Sequence, residues 1–108
     1  MTGNEYQKEA MRTMNAQGNH LENAVLGLCG ESGECADMIK KAMFQGQTFD
    51  EVHFAKELGD ILWYIALGAY AMGYDLDTIM QMNVDKLRKR YPDGFEVERS
   101  KNREEGDI

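Results

Sequence analysis

The sequence predicts an all-α fold, a four- to five-helix bundle built on antiparallel long helices, and three observations predict it. The single proline, Pro92, lies late, so nothing before it forces a helix to break. Apolar residues recur at alternating spacings of three and four along most of the chain, which is the period of an amphipathic helix. No segment alternates with the period of two that a half-buried strand requires, and no internal repeat or low-complexity tract interrupts the pattern.

The first element is a short amphipathic helix after Asn4, an acceptable N-cap, with Tyr6, Ala10 and Met14 on one face and Gly18 as its end. The second runs from Asn19 or His20 to Phe44, with Leu21, Val25, Leu28, Ser32, Cys35, Ile39 and Met43 as its stripe and Gln45-Gly46 as its stop. A third starts after Thr48 or Asp50, carries Phe54, Leu58, Ile61, Leu62 and Ile65, and continues to about Met72, where Gly73 ends it. Asp75 caps a fourth, whose stripe of Leu76, Ile79, Met80, Val84 and Leu87 reaches Arg90. From Tyr91 the chain changes character, opening with the turn-like Pro92-Asp93-Gly94 and then becoming mostly charged. Residues 1–95 are therefore expected to form a single helical domain, and 96–108 a C-terminal tail that wraps the domain or frays.

Length and charge narrow the function. One domain is all that 108 residues allow. With 43% hydrophobic residues the core needs neither disulfide nor structural metal. The balance of 12 Lys and Arg against 19 Asp and Glu gives a net charge of −7 and no general field for a nucleic-acid backbone, so a nucleic-acid polymer is not an expected partner. The longest uncharged run, Ile61 to Tyr74, is too short to span a membrane, and the polar N-terminus is no signal peptide, which points to the cytoplasm. Cys29 and Cys35 are rotated by about 240° from each other on a helix at ~100° per residue, so they read as free thiols. With His20 and His53 alone beside them and no C-x-x-C pair, a zinc site has nothing to build on.

The informative feature is acidic. Glu31-Ser-Gly-Glu34 stands on the second helix and Glu57-Leu-Gly-Asp60 on the third, each pair spaced so that both carboxylates share one face a turn apart. Their neighbours on those faces, Gly27 and Met38 in one case and Ile61, Tyr64 and Gly68 in the other, are small or apolar, unlike a solvated face. In an antiparallel hairpin the two pairs converge, and four carboxylates repel unless they are protonated or share a cation. A hard divalent ion, magnesium with manganese able to substitute, suits an all-oxygen set. On the fourth helix Asn83, Lys86 and Arg90 form a polar stripe able to hold phosphate oxygens. The chain holds no Gly-rich P-loop and no Ser-His-Asp or Cys-His arrangement.

The segments Gly27-Leu-Cys-Gly-Glu31-Ser-Gly-Glu34, Lys56-Glu57-Leu-Gly-Asp60-Ile-Leu-Trp-Tyr64 and Asn83 to Phe95, with the ending Glu98-Arg-Ser-Lys-Asn-Arg103, together resemble the MazG-like nucleotide pyrophosphohydrolases of the all-α NTP pyrophosphatase superfamily. The resemblance implies magnesium-dependent hydrolysis of nucleoside or deoxynucleoside triphosphates to monophosphate and pyrophosphate. Glu31, Glu34, Glu57 and Asp60 match the metal-binding and catalytic positions, and Glu34 is the expected base for water. Lys86 and Arg90, with Asn83, match the substrate-binding ones. It also implies a homodimer or homotetramer, which the apolar third helix independently suggests. His53, one turn before Glu57, and the aromatics Trp63, Tyr64 and Tyr91 are further candidates for substrate contact, as are Tyr6 and Arg12 on a first helix able to cover the pocket. Competing readings are a specialised dCTP or dUTP pyrophosphatase, a phosphoribosyl-ATP pyrophosphohydrolase, and a nucleotide-binding helical module without catalysis. A complete set of four carboxylates argues against the last.

Overall fold

Two long helices of nearly equal length lie side by side as a hairpin, and everything else is arranged around one end of it. The computed structural model describes Met1–Ile108 and contains five helices and no sheet: α1 (Gly3–Met11), α2 (His20–Phe44), α3 (Glu51–Ala71), α4 (Leu76–Arg90) and α5 (Val97–Lys101). The α2–α3 contact is the largest in the molecule. Its register is antiparallel: Ala24 lies beside Gly68, Gly27 beside Tyr64 and Glu31 beside Glu57, so ascending α2 means descending α3. Gly27 is required here, because a methyl at that position would fall inside the Tyr64 ring.

The boundaries of α2, α3 and α4 follow the sequence signals. Gly46 takes φ +65° just beyond α2, Gly73 takes φ +79° beyond α3, and Asp50 and Asp75 accept from the backbone N–H groups of His53 and Thr78 as N-caps. The first helix departs from expectation at both ends. Thr2, not Asn4, is its N-cap, forming a reciprocal capping box with Glu5. It stops at Met11, well before Gly18, because the Thr13 hydroxyl and the Trp63 Nε1–H both turn to the Ala10 carbonyl, at 2.8 and 3.0 Å, and close the helix there. Met14 is thus outside the helix whose face it was expected to share.

Asn4 has a different task. The three leading N–H groups of α4 have no partners within their own helix. The Leu76 N–H donates to Gln7 Oε1 (3.1 Å), that of Asp77 to Asn4 Oδ1 (2.9 Å), and that of Thr78 to Asp75 Oδ1 (2.8 Å). Gln7 is buried and fully used, its Nε2 donating to the carbonyls of Ala66 and Tyr74 at 3.2 Å each. Two side chains of α1 therefore pin the start of α4 to the end of α3, around the small core of Ala66, Ala69 and Leu76 with Tyr6, Met11 and Ile79 against it.

That core is modest for the chain. Only 7 of 108 residues are buried, and the surface of 8048 Å² exceeds the roughly 6,100 Å² expected of a compact monomer of this mass. The radius of gyration of 16.9 Å likewise exceeds the ~13 Å of a compact chain of this length. The predicted apolar stripes explain the excess. Along α4 only Leu76 is buried, while Met80, Met82, Val84 and Leu87 are exposed, and on α2 Val25, Leu26, Ile39 and Met43 remain uncovered. The tail forms α5 and then a turn that returns to α4 through Arg90 and Asp107. No helix is long and apolar enough to cross a membrane.

Candidate functional site

The hairpin register brings three of the four expected carboxylates together. One oxygen each from Glu31, Glu57 and Asp60 lies within 4.8 Å of the other two. Glu31 sits on the α2 face that packs on α3, and the i, i+3 spacing of Glu57 and Asp60 aims both at it. Glu31 and Glu57 are half-buried and Asp60 is exposed, so the group is wet on one side. Glu34 is exposed and stands outside this group, near enough that its charge is felt at Glu31.

Repulsion marks the cluster. The Glu31 carboxyl is held above the ordinary carboxylate range, first by the hydrogen bond it shares with Glu57, then by loss of water and by the charges of Glu57, Asp60 and Glu34. Cys35, expected only as a free thiol on the apolar stripe of α2, follows Glu31 by four and so shares its face. Its thiol is pushed up by loss of water and then by Glu57, Glu31 and Glu34. Tyr6 reaches the other flank, where burial and then the charge of Asp60 raise its phenol. The imidazole in contact is that of His53, whose Nε2 lies 3.1 Å from Glu57 Oε1. An all-oxygen set under this much mutual repulsion, with no lysine or arginine paired to it, fits a hard divalent ion.

Beside the carboxylates opens a cleft of about 350 Å³ lined by Glu31, Asp60, Trp63 and Tyr64. The Trp63 indole is fixed by its Nε1–H, shared between the Ala10 carbonyl and Thr13 Oγ1 at 3.0 Å each, and Tyr64 meets it edge to face with centroids 5.1 Å apart. The end of α1 thereby sets the orientation of one wall of the cleft. Arg12 points elsewhere, to Glu9.

The expected phosphate-binding residues lie apart from this cleft. Asn83 and Lys86 are exposed on α4, and neither they nor Arg90 line it. Arg90 is drawn to the tail: Nη2 and Nε donate to the two carboxylate oxygens of Asp107 at 2.7 and 2.8 Å. Tyr91 packs on Phe95, with ring centroids 5.3 Å apart. Within one chain the structure thus assembles the carboxylates and the aromatic wall but not the basic stripe.

Comparison with known proteins agrees with the acidic geometry. The family model of the MazG nucleotide pyrophosphohydrolase domain matches residues 19–95, which contain all four carboxylates, the aromatic wall and the basic stripe. The chain is 34% identical over 76 residues to the Gene 37 protein of Mycobacterium phage L5, a match covering 65% of each chain. No solved structure matches. On a match that spans most of its length and includes both acidic motifs, the chain belongs to the MazG nucleotide pyrophosphohydrolase family.

Proposed function

We propose that the protein hydrolyses nucleoside or deoxynucleoside triphosphates to the monophosphate and pyrophosphate with magnesium, or manganese in its place. The observation that carries this reading is the convergence of Glu31, Glu57 and Asp60 beside an open aromatic cleft. Those three residues would hold the ion. When bound, a divalent ion neutralises the triphosphate and lowers the pKa of water in its shell. Glu34, free of the three-carboxylate group, takes the proton of the attacking water. Attack at the α-phosphorus breaks the α–β anhydride and releases pyrophosphate, whose charge Lys86 and Arg90, with Asn83, stabilise. His53 fixes the orientation of Glu57 from one turn away. Trp63 and Tyr64 supply the surface against which a base lies.

The basic stripe must reach the carboxylates for this chemistry, and within one chain it does not line their cleft. A homodimer, or a pair of dimers, satisfies both this need and the uncovered apolar faces of α2 and α4. Residues 1–95 form the working domain, and the protein acts on soluble nucleotides in the cytoplasm, not on nucleic-acid polymers or at membranes.

The decisive experiment is release of pyrophosphate and monophosphate from a panel of ribo- and deoxyribonucleoside triphosphates with magnesium, run beside Glu57→Gln and a chelator. Release of both products that disappears in both controls is the expected result. Undiminished activity in Glu57→Gln overturns the metal assignment, and absence of any release from folded, magnesium-loaded protein overturns the hydrolase reading in favour of a nucleotide-binding module.

A further inference from the structure

The tail that follows α4 folds back on it in a specific way. Gly106 takes φ +86°, a conformation other residues adopt at a cost, and the Asp107 N–H donates to the Glu104 carbonyl at 3.1 Å, closing a tight turn. The turn presents the Asp107 carboxylate to the Arg90 guanidinium, and the two form a parallel, two-pronged pair at 2.7 and 2.8 Å. Each side chain is only 10% exposed, whereas the other Lys and Arg ion pairs of the molecule join residues three or four apart on exposed surface. Lys86 and Arg103 add positive charge around the same carboxylate. A small cavity beside the pair, lined in part by Lys89, Arg99 and Arg103, carries no apolar side chain.

A carboxylate with both oxygens in an arginine fork and further cations around it presents the same two-oxygen geometry by which such a fork holds a phosphate group. We propose that Asp107 is a built-in phosphate mimic, and that the tail closes the Lys86–Arg90 grip until a phosphate group of the substrate displaces it. This inference rests on the reading of Lys86 and Arg90 as phosphate-binding residues. Its consequence is a reduced apparent affinity: a ligand that needs Arg90 free binds with an affinity scaled by the fraction of molecules in which the tail has released it. Substrate and tail compete for one guanidinium, so the tail affects capture of the ligand and not the chemical step.

The test uses the full chain and inorganic pyrophosphate as the probe, with chelator present so that the carboxylate cluster contributes nothing through a bound cation. Calorimetry compares the wild type with Asp107→Asn, which removes the competing charge, and with Gly106→Ala, which strains the turn while leaving every charge in place. Circular dichroism verifies that each variant is folded. Both variants are expected to bind pyrophosphate about tenfold more tightly than the wild type, as follows if the tail is released in roughly one molecule in ten. In turnover with magnesium, KM falls while kcat is unchanged. Equal or weaker pyrophosphate binding in both variants overturns the proposal and leaves the pair a structural anchor. Tighter binding in a chain that shows no turnover keeps the gate and removes the hydrolase reading, and turnover with unchanged affinity and KM in the variants does the reverse. Lys86→Gln in the Asp107→Asn background must abolish the gain, and a gain that persists overturns the assignment of the grip itself.

Discussion

At the scale of single residues, the carboxylate cluster is an arrangement the metal-free chain holds at a cost. Glu31 is raised above its ordinary range by Glu57 and its other acidic neighbours. A group raised in the folded state stabilises the fold fully below its unfolded pKa, and that contribution is lost as pH rises through the raised value. Near neutrality the ionised cluster therefore opposes folding. Glu31→Gln is expected to melt higher than the wild type in chelator at neutral pH, with a difference that shrinks on acidification through the carboxylate range. Saturating magnesium or manganese reverses the order, since an ion that binds only the folded chain at a hundredfold excess over its Kd adds about 2.7 kcal/mol. A Glu31→Gln protein that melts lower than the wild type in chelator would sink the metal reading. The acidic positions were legible in the sequence because i, i+3 spacing on a helix fixes a common face. Tyr6, a candidate on the helix expected to cover the pocket, does reach the cluster, whereas the approach of Cys35 is not legible in spacing because it depends on how α2 packs on α3. Gln7 was equally invisible. A glutamine on a short helix gives no hint that it will be buried with the Leu76 N–H and the Tyr74 carbonyl as its partners. Gln7→Ala leaves those groups unpaired and is expected to cost roughly 2–4 kcal/mol in urea unfolding, against about 1–3 for one orphaned buried group.

At the scale of elements, the hairpin and the α4 cap give opposite lessons about glycine and aspartate. Gly27 packs directly on the Tyr64 ring, whereas a methyl on Gly30 meets nothing within 4 Å. Gly27→Ala is expected to destabilise the protein by ~1–3 kcal/mol through overpacking and to displace the tyrosine wall of the cleft, while Gly30→Ala stabilises the helix by about 0.5–1 kcal/mol. Both helices, their termini and the antiparallel pairing could be read from spacing, from Asp50 and Asp75 as caps and from Gly46 and Gly73 as stops. The first helix departs from the sequence pattern because Asn4 has the chemistry of a cap but serves α4, while the Thr2–Glu5 box supplies the local one. Asp75 also carries a pH signature. The hydroxyl and N–H of Thr78, and then the Asn4 side chain, hold its carboxyl below the ordinary range, so its contribution is present above the unfolded pKa and is lost as pH falls through the folded one. Asp75→Asn keeps a good cap and removes the charge. The variant is expected to match the wild type closely near neutrality and to lose less stability on acidification.

For the whole molecule, the central fact is surface left uncovered. An area of 8048 Å² against roughly 6,100 for a compact monomer leaves an excess on one chain about twice the ~800 Å² that each partner contributes to a standard protein–protein interface. Large apolar residues stand exposed on α4 and α2, where Val84, Leu87, Val25 and Leu26 form no core of their own. The same α4 carries the basic stripe that the carboxylate cleft of its own chain does not receive. The proposed homodimer answers both observations, a second copy covering the apolar surface and bringing its basic stripe to the carboxylates. Light scattering is then expected to give a dimer or tetramer, and Val84→Glu to weaken it. A stronger consequence concerns activity. If each site combines carboxylates from one copy with Lys86 and Arg90 from another, Glu57→Gln and Arg90→Gln proteins are each inactive, yet mixing them with subunit exchange regenerates sites in which both halves are intact. In a random dimeric mixture half the molecules are heterodimers with one sound site of two, so recovery approaches a quarter of the wild-type rate. No recovery after verified exchange would mean that the basic stripe and the carboxylates of one site come from the same chain, and that the assembly serves only to cover the apolar faces.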